Sequence, residues 1–154
     1  MKEKEPSNKV INLKDKILNK RIMAAPRKAG KCESNTRVIA ITSGKGGVGK
    51  TNIVANLGFA LCQLGKKVLI LDADLGLGNL DVLLGLAPKY NLSHVVMGLK
   101  TVAEITIDGP GNMKILPASS GVQELTRLTQ KQQIQILTEL DQIIDSVHIL
   151  LIDT

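Results

Sequence analysis

Aromatic residues are almost missing from this chain: one Tyr, one Phe and no Trp in 154 residues. That scarcity argues against the stacking platforms that hold single-stranded nucleic acid, so no direct nucleic-acid partner is expected, and it leaves the core to aliphatic side chains. Cysteine is nearly as scarce. Cys32 and Cys62 have neither metal-ligand spacing nor the density of a disulfide scaffold, which points to two inert thiols in a reducing compartment. Long apolar runs are lacking too: none reaches the ~20 residues needed to span a bilayer, and the N-terminus has no apolar stretch of about 7–15 residues to serve as a signal peptide. The expected location is the cytoplasm. Net charge is absent from most of the chain, because residues 37–154 hold ten Lys/Arg against ten Asp/Glu while residues 1–36 hold ten against four. The overall +6 therefore belongs to a basic tail.

What is present divides at residue 36. Within 1–36, Val10, Leu13 and Ile17, and likewise Ile11, Leu18 and Ile22, fall at helical spacing with lysines between them. The spacing predicts a short basic amphipathic helix, with a disordered or weakly docked tail as the alternative. Lys outnumbers Arg and acids are present, which disfavours a mitochondrial presequence. Residues 37–154 have the size of one compact domain. There "VIAITS" (38–43) reads as a strand, followed by a glycine loop and then Ile53, Leu57, Ala60 and Leu64 at helical spacing. Gly65 sits where a helix ends in a left-handed residue. Further strands are expected at 68–72, 113–117 and 147–152, and one or two amphipathic helices over 122–144. Strands separated by helices predict an α/β fold, a parallel sheet covered by helices.

The glycine loop, "SGKGGVGKT" (43–51), fits two templates. Gly44, Gly46 and Gly49 satisfy G-x-G-x-x-G after a strand, with Asp72 placed as a ribose-binding acid would be, which would suit NAD. Gly44, Gly49, Lys50 and Thr51 also satisfy G-x-x-x-x-G-K-[ST], expected by chance in fewer than about one chain in a hundred of this length. The Lys-Thr pair decides between them. A nucleoside triphosphate with Mg²⁺ needs backbone N–H groups around its phosphates, a cation on the β/γ oxygens and a hydroxyl on the metal. Gly46, Gly47 and Gly49 would supply the first, Lys50 the second and Thr51 the third, whereas NAD gives Lys50 and Thr51 no role.

Acids complete the set. "LILDAD" ends in Asp72 and Asp74, and "HILLID" ends in Asp153, all at strand ends on the ligand edge of such a sheet. Asp153 fits an acid holding Mg²⁺ through water, a helix cap or turn being the alternative; Asp74 has the alternative of a polar turn in "DADLGLGN". Lys45 exceeds the generic template, and a solvated surface lysine is its plainer reading.

"SGKGGVGKT", together with "LILDADLGLGNLDVLLGLAPKYNLSHVVMG", "MKILPASSGVQELTRL" and "LLIDT", closely resembles the deviant Walker A P-loop ATPases of the MinD/ParA (SIMIBI) type, and among them the FlhG/FleN flagellar number regulators. The resemblance runs continuously over 37–154. It implies an ATPase with ATP and Mg²⁺ as ligands and a nucleotide-binding loop of Gly44, Lys45, Gly46, Gly47, Val48, Gly49, Lys50 and Thr51. By the same resemblance Lys45 reaches the partner subunit's phosphates in an ATP-sandwiched homodimer, Asp74 orients the attacking water, and Asp72 and Asp153 support Mg²⁺ through water beside Thr51. Asn79 would lie near the dimer interface, while His94 and His148 match no catalytic position. Implied partners are the FlhF GTPase, flagellar switch proteins or a flagellar transcription regulator. The N-terminal segment departs from the family's D-Q-A motif, keeping only Asp15 of Asp15-Lys16-Ile17. Family members run to nearly twice this length and add adenine-contacting residues and a C-terminal amphipathic membrane helix, so the sequence corresponds to their N-terminal half. Peripheral inner-membrane association would come through that helix alone. Rivals to flagellar regulation are a MinD-type cell-division-site ATPase, a scaffold that binds nucleotide without hydrolysis, and an NAD-binding oxidoreductase.

Overall fold

The computed structural model describes residues 36–73, 80–117 and 129–154, all within one compact unit, Cys32–Thr154. The expected tail helix, Cys32, Asp74, Asn79 and the first part of the 122–144 helical run lie outside the described residues.

Four of the five described strands form where the apolar, β-branched runs predict them, and the short β3 is the addition. They are β1 (Arg37–Ile41), β2 (Val68–Asp72), β3 (Ile107–Asp108), β4 (Lys114–Leu116) and β5 (Ile149–Asp153). Their order in the sheet is β1-β5-β2-β4-β3. The first four of these neighbours are mutually parallel, and β3 is antiparallel to β4. The sheet is thus parallel and helix-covered as expected, with one short antiparallel edge strand that the sequence did not mark. Two residues of β3 are too few to give a period-2 signal, and β3 returns to β4 through the 3₁₀ turn Pro110–Asn112. β1 also stops at Ile41, because Thr42 and Ser43 already belong to the loop.

Helices α1 (Lys50–Gln63), α2 (Leu80–Leu83), α3 (Leu92–Val96), α4 (Val102–Ile105) and α5 (Gln130–Asp145) connect the strands. Side chains alternate across a strand, so Val68 and Ile70, Ile149 and Leu151, and Ile39 and Ile41 share one face. On that face they pack with Val54 and Ala55 of α1, Leu80 of α2, and Met113 and Ile115. Gly58 lets α1 lie close, since a Cβ there would meet Ile70 Cδ1 at 2.9 Å and Met113 Sδ at 3.3 Å. Leu69, Leu71, Leu150 and Ile152 point to the other face and are buried, as are Ile136, Leu140 and Ile144 of α5. The α3 and α4 helices are tied to α5 by polar bonds: Val102 N–H donates to Glu139 Oε2 (2.9 Å) and Gln132 Nε2 to the Val96 carbonyl (3.3 Å). Gly65 adopts φ 74° and ends α1 as expected, with Lys66 N–H closing onto the Leu61 carbonyl at 3.1 Å. No helix among the described residues is long and apolar enough to cross a membrane.

Candidate functional site

The adjacent parallel strands β1, β5 and β2 end level with one another. Ile41 of β1 pairs with Asp153 of β5, and Asp153 pairs with Asp72 of β2. Neighbouring strands lie about 4.8 Å apart, and in-register residues point to one face, so the two acids sit side by side on the face that α1 covers. Both are buried, at 4% exposure for Asp72 and 3% for Asp153. Asp153 Oδ1 has no hydrogen-bond partner among the described residues. A buried carboxylate oxygen without a donor costs about 1–3 kcal/mol, an arrangement that a cation or its bound water would relieve.

Directly beyond Ile41 the chain enters the glycine loop and then α1. Gly47 and Gly49 hold φ of 72° and 90°, the left-handed region that a side chain disfavours. A Cβ at Gly44, Gly46, Gly47 or Gly49 would meet nothing within 4 Å among the described residues, so the space beside these glycines is open. Within the loop, the Ser43 hydroxyl donates to the Lys45 carbonyl at 2.6 Å. Gly49 is the N-cap of α1 and brings no side-chain cap, and the first turn holds no acid. The contrast with the other helices is informative: α3, α4 and α5 are each closed by a capping box, from Asn91 and His94, Thr101 and Glu104, and Thr129 and Gln132. The 14-residue α1 therefore keeps unpaired N–H groups and the positive end of its dipole facing the glycine loop. That is the chemistry of an anion site.

Lys50 and Thr51, the first two residues of α1, are partly buried, whereas Lys45 is exposed on the loop. Neither lysine has an ion pair among the described residues. The structure thus brings Gly44 to Thr51, Asp72 and Asp153 to one end of the sheet. The residues fit a Mg²⁺-nucleotide: open amides for phosphate, two lysines, a hydroxyl at Thr51, and a buried acid with an unsatisfied oxygen. No group of three or more His, Cys, Asp or Glu gathers among the described residues, so a metal here would lean on Thr51, water and the nucleotide itself.

Other polar residues have structural work. His94 serves in the α3 cap and packs edge-on to Tyr90 at 5.2 Å, and His148 Nδ1 accepts from Lys67 N–H at 2.9 Å. Burial pushes the Cys62 thiol up, consistent with an inert thiol. A cavity of about 340 Å³ lies between residues 86–90 and β3, and none of the expected site residues lines it. Two hydroxyls near the site, Ser43 and Thr154, stand inside the quoted motifs but were given no role by them.

Comparison with known proteins follows the same lines. Residues 36–154 match the AAA domain family. Antiactivator FleN of Pseudomonas aeruginosa is 47% identical over 118 residues, which make up 77% of this chain and 42% of that protein. Flagellum site-determining protein YlxH of Helicobacter pylori is 37% identical over 122 residues, 79% of this chain and 42% of its own length. The chain thus spans less than half the length of these relatives. Among solved structures, septum site-determining protein MinD of Pyrococcus horikoshii, complexed with Mg-ADP, aligns with a TM-score of 0.60 and 31% identity over 77% of this chain and 48% of that one. The chain belongs to the AAA domain family and, within it, to the MinD/ParA group of deviant Walker A P-loop ATPases, on the FlhG/FleN branch.

Proposed function

We propose that this chain is the nucleotide-binding part of a MinD-like ATPase that dimerises on ATP and regulates flagellar number or placement. The observation that carries the nucleotide half of this reading is the uncapped N-terminus of α1 behind an open glycine loop, level with the buried Asp72 and Asp153. The flagellar half is supported by the names of the two relatives at 47% and 37% identity.

In this reading the loop amides and the α1 N-terminus bind the phosphates of ATP, and Lys50 reaches the β/γ oxygens. Thr51 would hold Mg²⁺ directly, and Asp72 and Asp153 would hold it through water. The ion, when bound, neutralises charge on the β/γ oxygens. Asp74 orients the attacking water. Lys45 of one protomer reaches the partner's phosphates, so its charge links dimerisation to the bound triphosphate. A cytoplasmic protein with peripheral membrane contact fits this cycle, as do FlhF, flagellar switch proteins or a transcription regulator as partners.

Light scattering and phosphate release test the cycle together. Asp74→Ala should keep the ATP-dependent dimer mass while turnover falls by about 10²-fold or more. Lys45→Ala should lose dimer and turnover together. Equal loss of ATP binding in both variants would mean that the two roles are misassigned.

A further inference from the structure

We infer that Thr154 is a positioning residue for the front half of the glycine loop, locking the root of that loop to the strand that carries Asp153. The inference rests on the reading of residues 43–51 as a Mg²⁺-ATP site.

The two ends of the loop are anchored very differently. Its rear end, Gly49 to Thr51, is the start of α1, which is fixed by the buried Val54 and Ala55 against β2 and β5. Its front end, from Thr42 to Gly46, hangs from β1. Among the described residues that strand has one neighbour in the sheet, β5, and none of its five residues is fully buried. The ladder holding it ends at the pair Ile41 and Asp153. Just past that pair, the Thr154 hydroxyl donates to the Ile41 carbonyl at 3.0 Å, the last carbonyl before the loop. At the opposite end of β1, the Thr36 hydroxyl sits 2.9 Å and 2.8 Å from the carbonyls of Ile144 and Val147. A weakly held edge strand is thus pinned at each end by a threonine side chain, and the pin at the site lies next to the acid.

The division of labour follows from what each half carries. Lys50, Thr51 and the helix N–H groups belong to the rear half and do not depend on Thr154. Lys45 belongs to the front half, whose carbonyl is held by Ser43 and whose root is held by Thr154. Loosening the root should therefore disturb the placement of Lys45 toward the partner's phosphates while sparing ground-state Mg-ATP affinity, because misplacement of a group used in the transition state lowers kcat.

Thr154→Val keeps the shape and removes the donor; Thr154→Ser keeps the donor. Phosphate release at varied Mg-ATP, with calorimetric Mg-ATP affinity alongside, separates the outcomes. Expected for Thr154→Val is a fall in kcat of about five- to tenfold with affinity within about twofold, and near-complete recovery in Thr154→Ser. Unchanged kcat, a rise in KM alone, or failure of the serine to restore turnover would overturn the inference, as would a lowered Tm with kcat intact. A wild-type protein that binds no Mg-ATP would instead overturn the nucleotide-site reading, and one that binds it without turnover the hydrolytic reading, and this inference with either.

Discussion

The site is built from residues whose usefulness to the ligand runs against the interest of the empty fold. Asp153 is the clearest case, since a buried acid whose Oδ1 has no partner among the described residues burdens the free protein. Asp153→Asn should leave metal-free stability unchanged or raise it by up to about 1–3 kcal/mol in denaturant unfolding, while lowering Mg-nucleotide affinity. A variant that is less stable and binds Mg-ATP normally would show that Asp153 is a structural residue. Most of this site was legible in the sequence, because the loop template fixes residue types at fixed offsets and the strand-end acids follow short apolar runs. What was not legible was hydroxyl pinning. Thr36 and Thr154 lie far from their partners in the chain, at Ile144, Val147 and Ile41, and no local pattern marks a hydrogen bond across the sheet.

At the scale of elements, α1 combines a free N-terminus with a tightly packed waist. Gly58 in its middle costs helix propensity but allows the approach to Ile70 and Met113. Gly58→Leu should destabilise by about 1–3 kcal/mol through overpacking, whereas Gly58→Ala should stay within about 1 kcal/mol of wild type, as the Ile70 terminus can shift. Equal stability of the two variants would contradict that packing. The four-residue α4 depends on its cap instead. Hydrogen bonding from the Thr101 backbone, then Lys100, lowers the exposed Glu104 carboxyl from 4.5 to about 2. A depressed carboxyl stabilises the fold above its ordinary range and loses that contribution as pH falls through the lowered value. Carboxyl NMR should therefore find the Glu104 midpoint near 2, moved part of the way back up in Lys100→Met, and a wild-type midpoint above 4 would refute the capping box. Periodicity revealed the long elements but not α2 to α4, since helices of four or five residues carry too few apolar positions. The spacings Asn91 to His94 and Thr101 to Glu104 were their available signal.

For the whole molecule, the sheet places its chemistry toward one side. The strands β1, β5 and β2, whose ends meet the glycine loop and the two acids, are adjacent, β3 and β4 complete the far side, and β1 is the edge among the described residues. An edge with Val38 and Ile39 partly exposed, beside exposed Val48 and Ile53, invites pairing with another chain. Residues 1–154 on their own should therefore associate with rising concentration on size exclusion, and Ala40→Lys should raise the monomer fraction. A monodisperse monomer without the substitution would contradict this. The order of the strands could not be read from the chain, because parallel neighbours such as β1 and β5 are more than a hundred residues apart and their pairing leaves no local mark. Everything proposed above depends on one claim, that residues 43–51 hold a Mg²⁺-bound nucleoside triphosphate. Calorimetric titration of the wild type and Lys50→Ala with Mg-ATP and with NAD tests it most directly. The account predicts binding of Mg-ATP and not NAD, with affinity falling about tenfold or more in Lys50→Ala. Wild-type affinity retained without Lys50, or NAD bound in preference to ATP, would contradict it.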